Sequence, residues 1–203
     1  MAETMTEFRI EIEGEWTARE MHQELEALTF FHDAYYLASQ LYSSGRTAGG
    51  IIIPGIGSDK SEIVTALSGV ISAEISPDLI FVSAGQGVEL QVLRVRYASP
   101  GFQDFLGIAK VVQEVLNFIK GLIKIGQERR KGELELEEYQ QKITKMKLEN
   151  LSSFLRTLRD NGVSDEQIKN IIQNFSSRED LFIRLASEEK IVTVKSKQID
   201  QAA

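Results

Sequence analysis

The chain has 203 residues, a formal net charge of −7 and no cysteine. That length suffices for one large domain, or for one modest domain with a helical appendage. The lack of cysteine excludes disulfides, thiolate metal sites and thiol nucleophiles. The first residues, Met1-Ala2-Glu3-Thr4, have neither the basic start nor the apolar run of a secretory signal. These features predict a cytoplasmic location.

The acidic residues are concentrated in the N-terminal half of the chain. Residues 1–100 carry a formal balance of −8, whereas residues 101–203 carry +1. Because binding to nucleic acid requires a basic surface, no nucleic-acid partner is expected.

The first two predicted elements are a strand and a long helix. Residues 8–13 alternate apolar and charged side chains, which is typical of a half-buried strand. Thr17 and Glu20 match a capping box, from which a helix is expected to run to Tyr42. The strand should bury Phe8, Ile10 and Ile12, and the helix should direct Phe31, Tyr35 and Tyr42 into the core.

Three further strands and one helix are expected before residue 98. Short apolar runs at 51–53 and 79–82, bounded by glycine and proline, predict buried strands. Ser58 and Asp59 are suitable N-caps for a helix over 58–72. Residues 88–97 predict a strand whose apolar side chains change face, which favours a bulge near Val92, with burial on both faces as the alternative.

A third helix is expected to begin at Ser99-Pro100-Gly101, because proline is favoured at the first helical position. Its apolar residues, from 105 to 125, form a helical stripe. The charged and amide side chains on the opposite side rule out a membrane span; they are Lys110, Glu114, Asn117, Lys120 and Lys124. The element order β-α-β-α-β-β-α predicts an α+β domain with a four-stranded sheet over residues 1–126.

Residues 127–190 are rich in Glu, Lys, Gln and Leu and predict an all-helical arm or subdomain. Its apolar residues follow two short heptad runs separated by a phase shift, which favours a helical hairpin or bundle face. We expect this face to serve self-association or partner binding through Leu136, Tyr139, Ile143, Met146, Leu151, Leu155 and Leu158.

Helix ends within the arm can also be predicted. Asn161-Gly162 should supply a left-handed C-cap. The segments 164–167 and 176–179 each match a capping box and should open two short helices. Residues 191–203 are expected to form a flexible tail, with an edge strand at 191–194 as the alternative.

The segment 54–61 resembles a phosphate-binding loop, since a strand leads through glycines to Lys-Ser at a helix start. Such a loop needs glycine at its first and sixth positions, where this chain has Pro54 and Asp59. Proline lacks an amide hydrogen and aspartate repels phosphate, so a capped turn is favoured. A nucleotide- or phosphate-dependent enzyme or switch is the alternative.

No catalytic or metal-binding constellation can be assembled from the sequence. The two histidines, His22 and His32, are ten residues apart on one predicted helix, which separates them by about 15 Å. With no cysteine, the usual nucleophile–base sets have few members available. We therefore expect no enzyme activity, no metal and no cofactor.

Several basic residues could contact an anion. Arg94 and Arg96 share a strand face, although pairing with Glu11 and Glu13 is the simpler expectation if the first and last strands are neighbours. The candidate anion-binding set is Arg94, Arg96, Lys60, Ser61, Arg129, Arg130 and Lys131. A basic amphipathic helix ending in 129–131 could also favour a membrane surface, but its apolar stripe is expected to cover the sheet, so membrane binding is not expected.

Residues 93–101, Leu-Arg-Val-Arg-Tyr-Ala-Ser-Pro-Gly, run into an apolar helix. This pattern resembles bacterial α/β modules related to the N-terminal domain of the adaptor TRADD, which are associated with conflict or immunity systems. The resemblance implies adaptor function without catalysis or cofactor. The apolar spacing along residues 134–158, supported by this resemblance, predicts a non-enzymatic adaptor or assembly module with a protein partner or self-association; a peripheral membrane adaptor is a further alternative.

Overall fold

The computed structural model describes residues 4–44, 90–96, 99–130, 136–160 and 162–197. They form an antiparallel four-stranded sheet with four helices, which confirms the predicted α+β class with a helical C-terminal part. The elements are β1 (Met5–Ile12), α1 (Ala18–Ser44), β2 (Gln91–Arg96), β3 (Gly101–Ile108), α2 (Ala109–Arg130), α3 (Leu136–Asp160), α4 (Asp165–Ser187) and β4 (Ile191–Lys197). The strands predicted at 51–53 and 79–82 and the helix predicted over 58–72 lie outside the described residues.

The sheet has the strand order β2-β3-β1-β4. In β1, the alternation of the sequence places Phe8, Ile10 and Ile12 in the core, as predicted. Phe8 lies opposite Phe105 of β3, and the two rings stack with centroids 5.0 Å apart. These paired side chains give the sheet one apolar face, against which the helices pack.

The helix predicted to begin at Ser99 is wrong over its first ten residues. Residues 101–108 form β3, which pairs with both β1 and β2, and α2 begins only at Ala109. The apolar residues at 105 and 108 fit a helical stripe, but short apolar runs cannot distinguish a helix from a buried strand by periodicity alone. Pairing on both edges decides in favour of the strand.

The expectation of a flexible tail is also wrong for residues 191–197. They form β4, the edge strand named as the alternative, and pair with β1 so that Val194 lies opposite Ile10. Ile191 and Val194 are buried in the core. Both contribute apolar surface to the face of the sheet that the helices cover.

Helix α2 carries the predicted apolar stripe into the core. Every stripe position from Val112 to Ile123 is buried, while the five polar residues expected on the opposite side are exposed. This helix packs against α1, α3, α4 and the sheet. The boundary predicted at residue 126 therefore falls inside a continuous helix. No helix of the described part of the chain is long and apolar enough to cross a membrane.

An aromatic cluster joins all four helices. Phe31 of α1 is fully buried, with its ring centroid 4.8 Å from Phe118 of α2, 5.5 Å from Phe175 of α4 and 5.7 Å from Phe182 of α4. Phe154 of α3 lies 5.2 Å from Phe175. The helices predicted as an arm thus share one core with α1, where Phe31 and Tyr35 are buried as predicted.

Three of the predicted helix caps are present. At the start of α1, the Thr17 amide donates to the Glu20 carboxylate and the Glu20 amide donates to the Thr17 hydroxyl. The same two bonds join Ser164 and Gln167 before α4. Gly162, with φ +85°, donates to the Arg159 carbonyl while the next amide donates to that of Leu158, a Schellman ending of α3.

The capping box predicted at 176–179 does not open a separate helix. Helix α4 runs without interruption from Asp165 to Ser187, and Glu179, the acidic member of that box, is buried. Phe175 and Phe182, on either side of the box, point into the core on the same helical face. Their burial favours the continuous helix over a break at Ser176.

Gly126 allows α2 and α4 to pack in close contact. A Cβ atom at this position would lie 2.5 Å from the Ile183 carbonyl oxygen and 2.6 Å from the Ala186 Cβ. Since a backbone oxygen cannot rotate away, Gly126→Ala should separate the helices and lower the free energy of unfolding by about 1–3 kcal/mol, measured by urea titration. Lys124→Ala is the control, because it changes an exposed side chain two residues away on the same helix. Equal losses in the two variants would contradict this explanation.

Candidate interaction surface

Strand β2 is an exposed edge. It pairs with β3 on one side only, and no strand of the described chain lies along its other side. All six of its side chains are exposed. The large hydrophobic residues exposed in the described chain are Val92 (50%), Leu93 (39%), Val95 (39%) and Leu148 (46%). Three of the four therefore lie on this one strand.

The predicted bulge in β2 is present. Val92 lies opposite Phe105 and Arg94 lies opposite Asp104, so Leu93 is the extra residue. A bulge bends the strand and increases its twist. It explains the change of phase in the sequence, because Val92 and Val95 lie opposite Phe105 and Gln103, which share one face of β3.

A buried carboxylate anchors β2 to the sheet. Arg9 of β1 donates two hydrogen bonds to Asp104 of β3, at 2.6 and 2.9 Å, and Arg94 of β2 lies 2.9 Å from the same carboxylate. The bond to Asp104 is the main cause that raises the pKa of Arg9. Arg9 also lies over the Phe102 ring, 4.0 Å from its centroid. This network spans three strands and holds Arg94 in place.

The predicted pairing of Arg94 and Arg96 with Glu11 and Glu13 is wrong. Strand β2 neighbours β3 and not β1, so the partner of Arg94 is Asp104. Glu11 instead accepts a hydrogen bond from Lys195 of β4 at 2.7 Å. The sequence could not indicate this arrangement, because β3 was expected to be helical.

The face predicted for partner binding on α3 is largely used within the chain. Leu151, Leu155 and Leu158 are buried in the core, and Ile143 and Met146 pack partly against it. The side chains of Leu136 and Tyr139 lie outside the description. The buried residues of this face are not available to a partner, so an interaction surface must be sought elsewhere.

The described members of the predicted anion-binding set, four of its seven residues, do not come together as one site. Arg94 and Arg96 lie on β2, while Arg130 at the end of α2 forms an ion pair with Glu189. Arg129 lines a groove between α1 and α4. Lys60, Ser61 and Lys131 lie outside the described residues. The loop at 54–61 as a phosphate site stays a prediction.

Two buried carboxyl groups with a raised pKa were missed by the sequence analysis. Glu24 on α1 is fully buried, and burial raises its pKa to about 8, an effect that the Gln103 side chain only partly opposes. Burial also raises the pKa of Glu179 on α4 to about 7, although Lys147 lies 3.7 Å away. The burial of Glu24 could have been predicted from the sequence, because Glu24 precedes Leu28 by one helical turn on the buried face of α1.

The described histidines do not form an accessible reactive site. His22 is exposed, whereas His32 is buried with its Nδ1 atom 3.2 Å from the Asp33 carboxylate. Both His32 and Asp33 are only 1% exposed, so a substrate could not reach them in this structure. Among the described residues, no group of three His, Cys, Asp or Glu side chains could hold a metal ion.

No family model, curated protein or solved structure matches this chain. The resemblance of residues 93–101 to bacterial adaptor modules therefore stays a prediction. The exposed edge of β2 remains the feature of the described chain that points most directly to a contact with another molecule.

Proposed function

We propose that this protein is a non-enzymatic assembly module that self-associates through the free edge of β2. The observation that supports this function is the concentration of Val92, Leu93 and Val95 on a strand that, among the described residues, is paired on one side only. Soluble proteins commonly protect such edges, because unpaired strands with apolar side chains attract further strands. The resemblance to adaptor modules agrees with a non-catalytic role.

A second copy of the chain fits this edge by symmetry. Two antiparallel β2 strands related by a two-fold axis would continue the sheet and present the same side chains to each other. The two arginines of each β2 would repel their counterparts, although Arg94 shares the buried carboxylate of Asp104 with Arg9, which offsets part of its charge. The hydrogen bonds along the edge and the covered aliphatic side chains would favour association.

Self-association can be tested with a matched pair of variants. Full-length protein should show an average mass that rises with concentration in sedimentation velocity and light scattering. Leu93→Lys should weaken the dimer at least tenfold, because it places a charge in the new contact. Leu148→Lys, which changes a similarly exposed leucine on α3, should leave the dimer unchanged.

Two results would refute self-association through β2. One is a wild-type protein that remains monomeric over the whole concentration range. The other is equal weakening by Leu93→Lys and Leu148→Lys, which would move the contact away from the edge strand. Circular dichroism at each concentration is the folding control. Both variants should remain folded, because both positions are exposed.

A further inference from the structure

A polar groove between α1 and α4 is lined by three arginines. It has a volume of about 570 Å³, and its charged and hydroxyl side chains are Glu26, Arg129, Ser177, Arg178, Asp180 and Arg184. The arginines come from two helices, since Arg129 lies in the last turn of α2 while Arg178 and Arg184 lie on α4. In a chain of net charge −7, such a local excess of guanidinium groups requires an explanation.

Arg178 is held in position by its neighbours. Its guanidinium carbon lies 4.0 Å from the centroid of the Phe30 ring, and Nη1 donates to the Asn174 carbonyl at 3.1 Å. Nη2 lies 3.7 Å from Glu26, a longer and weaker contact. A guanidinium fixed in this way loses little conformational entropy when it binds a ligand.

The other two arginines are weakly balanced by carboxylates. Arg184 lies 3.5 Å from Glu20 and 3.4 Å from Glu188, but Lys190 is closer to Glu20, at 2.5 Å. Arg129 is exposed and forms no ion pair with any described residue within 4.0 Å. Both guanidinium groups can therefore donate further hydrogen bonds to an anionic ligand.

The acidic residues of the groove offset only part of this charge. Asp180 lies 2.7 Å from Lys147 of α3, which neutralises it from the adjoining surface. Glu26 is largely exposed and makes only the long contact with Arg178. The three arginines are thus opposed by two carboxylates that have no closer described cation, Glu26 and Glu188.

We propose that this groove binds a phosphate group. Guanidinium forks donate paired hydrogen bonds to the oxygens of phosphate, and several arginines favour a dianion over a singly charged carboxylate. The site is independent of the β2 edge, because its residues lie on the helices. Its ligand is either a small soluble phosphate compound or a lipid headgroup, which share this chemistry.

Calorimetric titration with inorganic phosphate and pyrophosphate, at constant ionic strength, tests the groove directly. We expect saturable binding that is tighter for pyrophosphate, because its charge is greater. Arg129→Gln should weaken binding about tenfold or more by removing a charge-assisted hydrogen-bond donor. Arg156→Gln is the matched control, since it removes an equally exposed arginine from α3 and should leave the affinity unchanged.

A second arm of the experiment identifies the source of the phosphate. Vesicles of phosphatidylcholine with phosphatidic acid should bind the wild-type protein, but not Arg129→Gln, if the ligand is a headgroup. Binding of the free anions alone would support a small soluble ligand. The proposal is overturned if neither phosphate nor vesicles bind, or if Arg156→Gln weakens binding as much as Arg129→Gln.

Discussion

When Glu24 is replaced by glutamine, the free energy of unfolding of the variant relative to wild type is expected to be much greater at alkaline than at acidic pH. Glu24 is fully buried and makes no hydrogen bond of good geometry among the described residues. Burial raises its pKa in the folded protein from 4.5 to about 8. A buried carboxyl of this kind remains protonated at neutral pH, and its ionisation opposes folding.

The sign of the effect follows from proton binding in the two states. Between pH 4.5 and 8, the folded protein keeps the proton on Glu24 while the unfolded chain releases it. The free energy of unfolding therefore falls as pH rises through this window, by at most about 5 kcal/mol in total. Glutamine cannot ionise, so the variant lacks this loss.

Urea titrations of wild type and Glu24→Gln at pH 5 and pH 8.5 measure this difference. The stability of the variant relative to wild type should increase by several kcal/mol from the lower to the higher pH. The contribution of Glu179, whose pKa is also raised by burial, is present in both proteins and cancels. Glu26→Gln is the control, because that exposed carboxylate lies on the same helix. A pH-independent difference for Glu24→Gln would refute the assigned pKa.

Helix α1 and strand β1 could be predicted from the sequence because their patterns are unambiguous. Six residues of alternating character at 8–13 admit only a half-buried strand, and the capping box at Thr17 marks the start of α1. The bulge in β2 was equally visible, because a strand with period two cannot change face without an extra residue. These patterns are local in the sequence, so they indicate the elements without knowledge of the tertiary packing.

Strand β3 could not be recognised, because its assignment depends on residues far along the chain. Its partners are β1 and β2. Asp104 can be buried within it because it is paired with Arg9, which lies nearly a hundred positions away in the sequence. Strand β4 shows the same dependence, since residues 191–197 lie as a strand along β1. Local periodicity contains no information about such partners.

The sequence analysis placed the candidate interaction surface on α3 for a related reason. The apolar spacing along α3 correctly indicated a buried face, but it could not show whether the burying partner was another chain or this one. The aromatic residues of α1 and α4 supply that partner within the chain, as the contact of Phe154 with Phe175 shows. Once Leu151, Leu155 and Leu158 are assigned to the core, β2 holds most of the exposed large aliphatic side chains of the described residues.

Replacement of Phe31 by alanine should cost about 3–5 kcal/mol of unfolding free energy, the range for large aromatic residues truncated in a core. Phe31 is fully buried, and its ring contacts Phe30, Phe118, Phe175 and Phe182, with centroids 4.8 to 5.9 Å apart. The cavity would therefore loosen the junction of α1, α2 and α4 together. For a protein of this size, the melting temperature should fall by roughly 6–20 °C.

Thermal unfolding followed by circular dichroism tests this expectation against two controls. Phe31→Leu should lose clearly less stability, because it retains most of the buried apolar volume. His22→Ala, an exposed change on the same helix, should alter stability by no more than about 0.5 kcal/mol. If Phe31→Ala melted within a few degrees of wild type, α3 and α4 could not share a core with α1. They would then be free to act as the separate helical arm predicted for residues 127–190, because only a core that joins all four helices makes Phe31 indispensable.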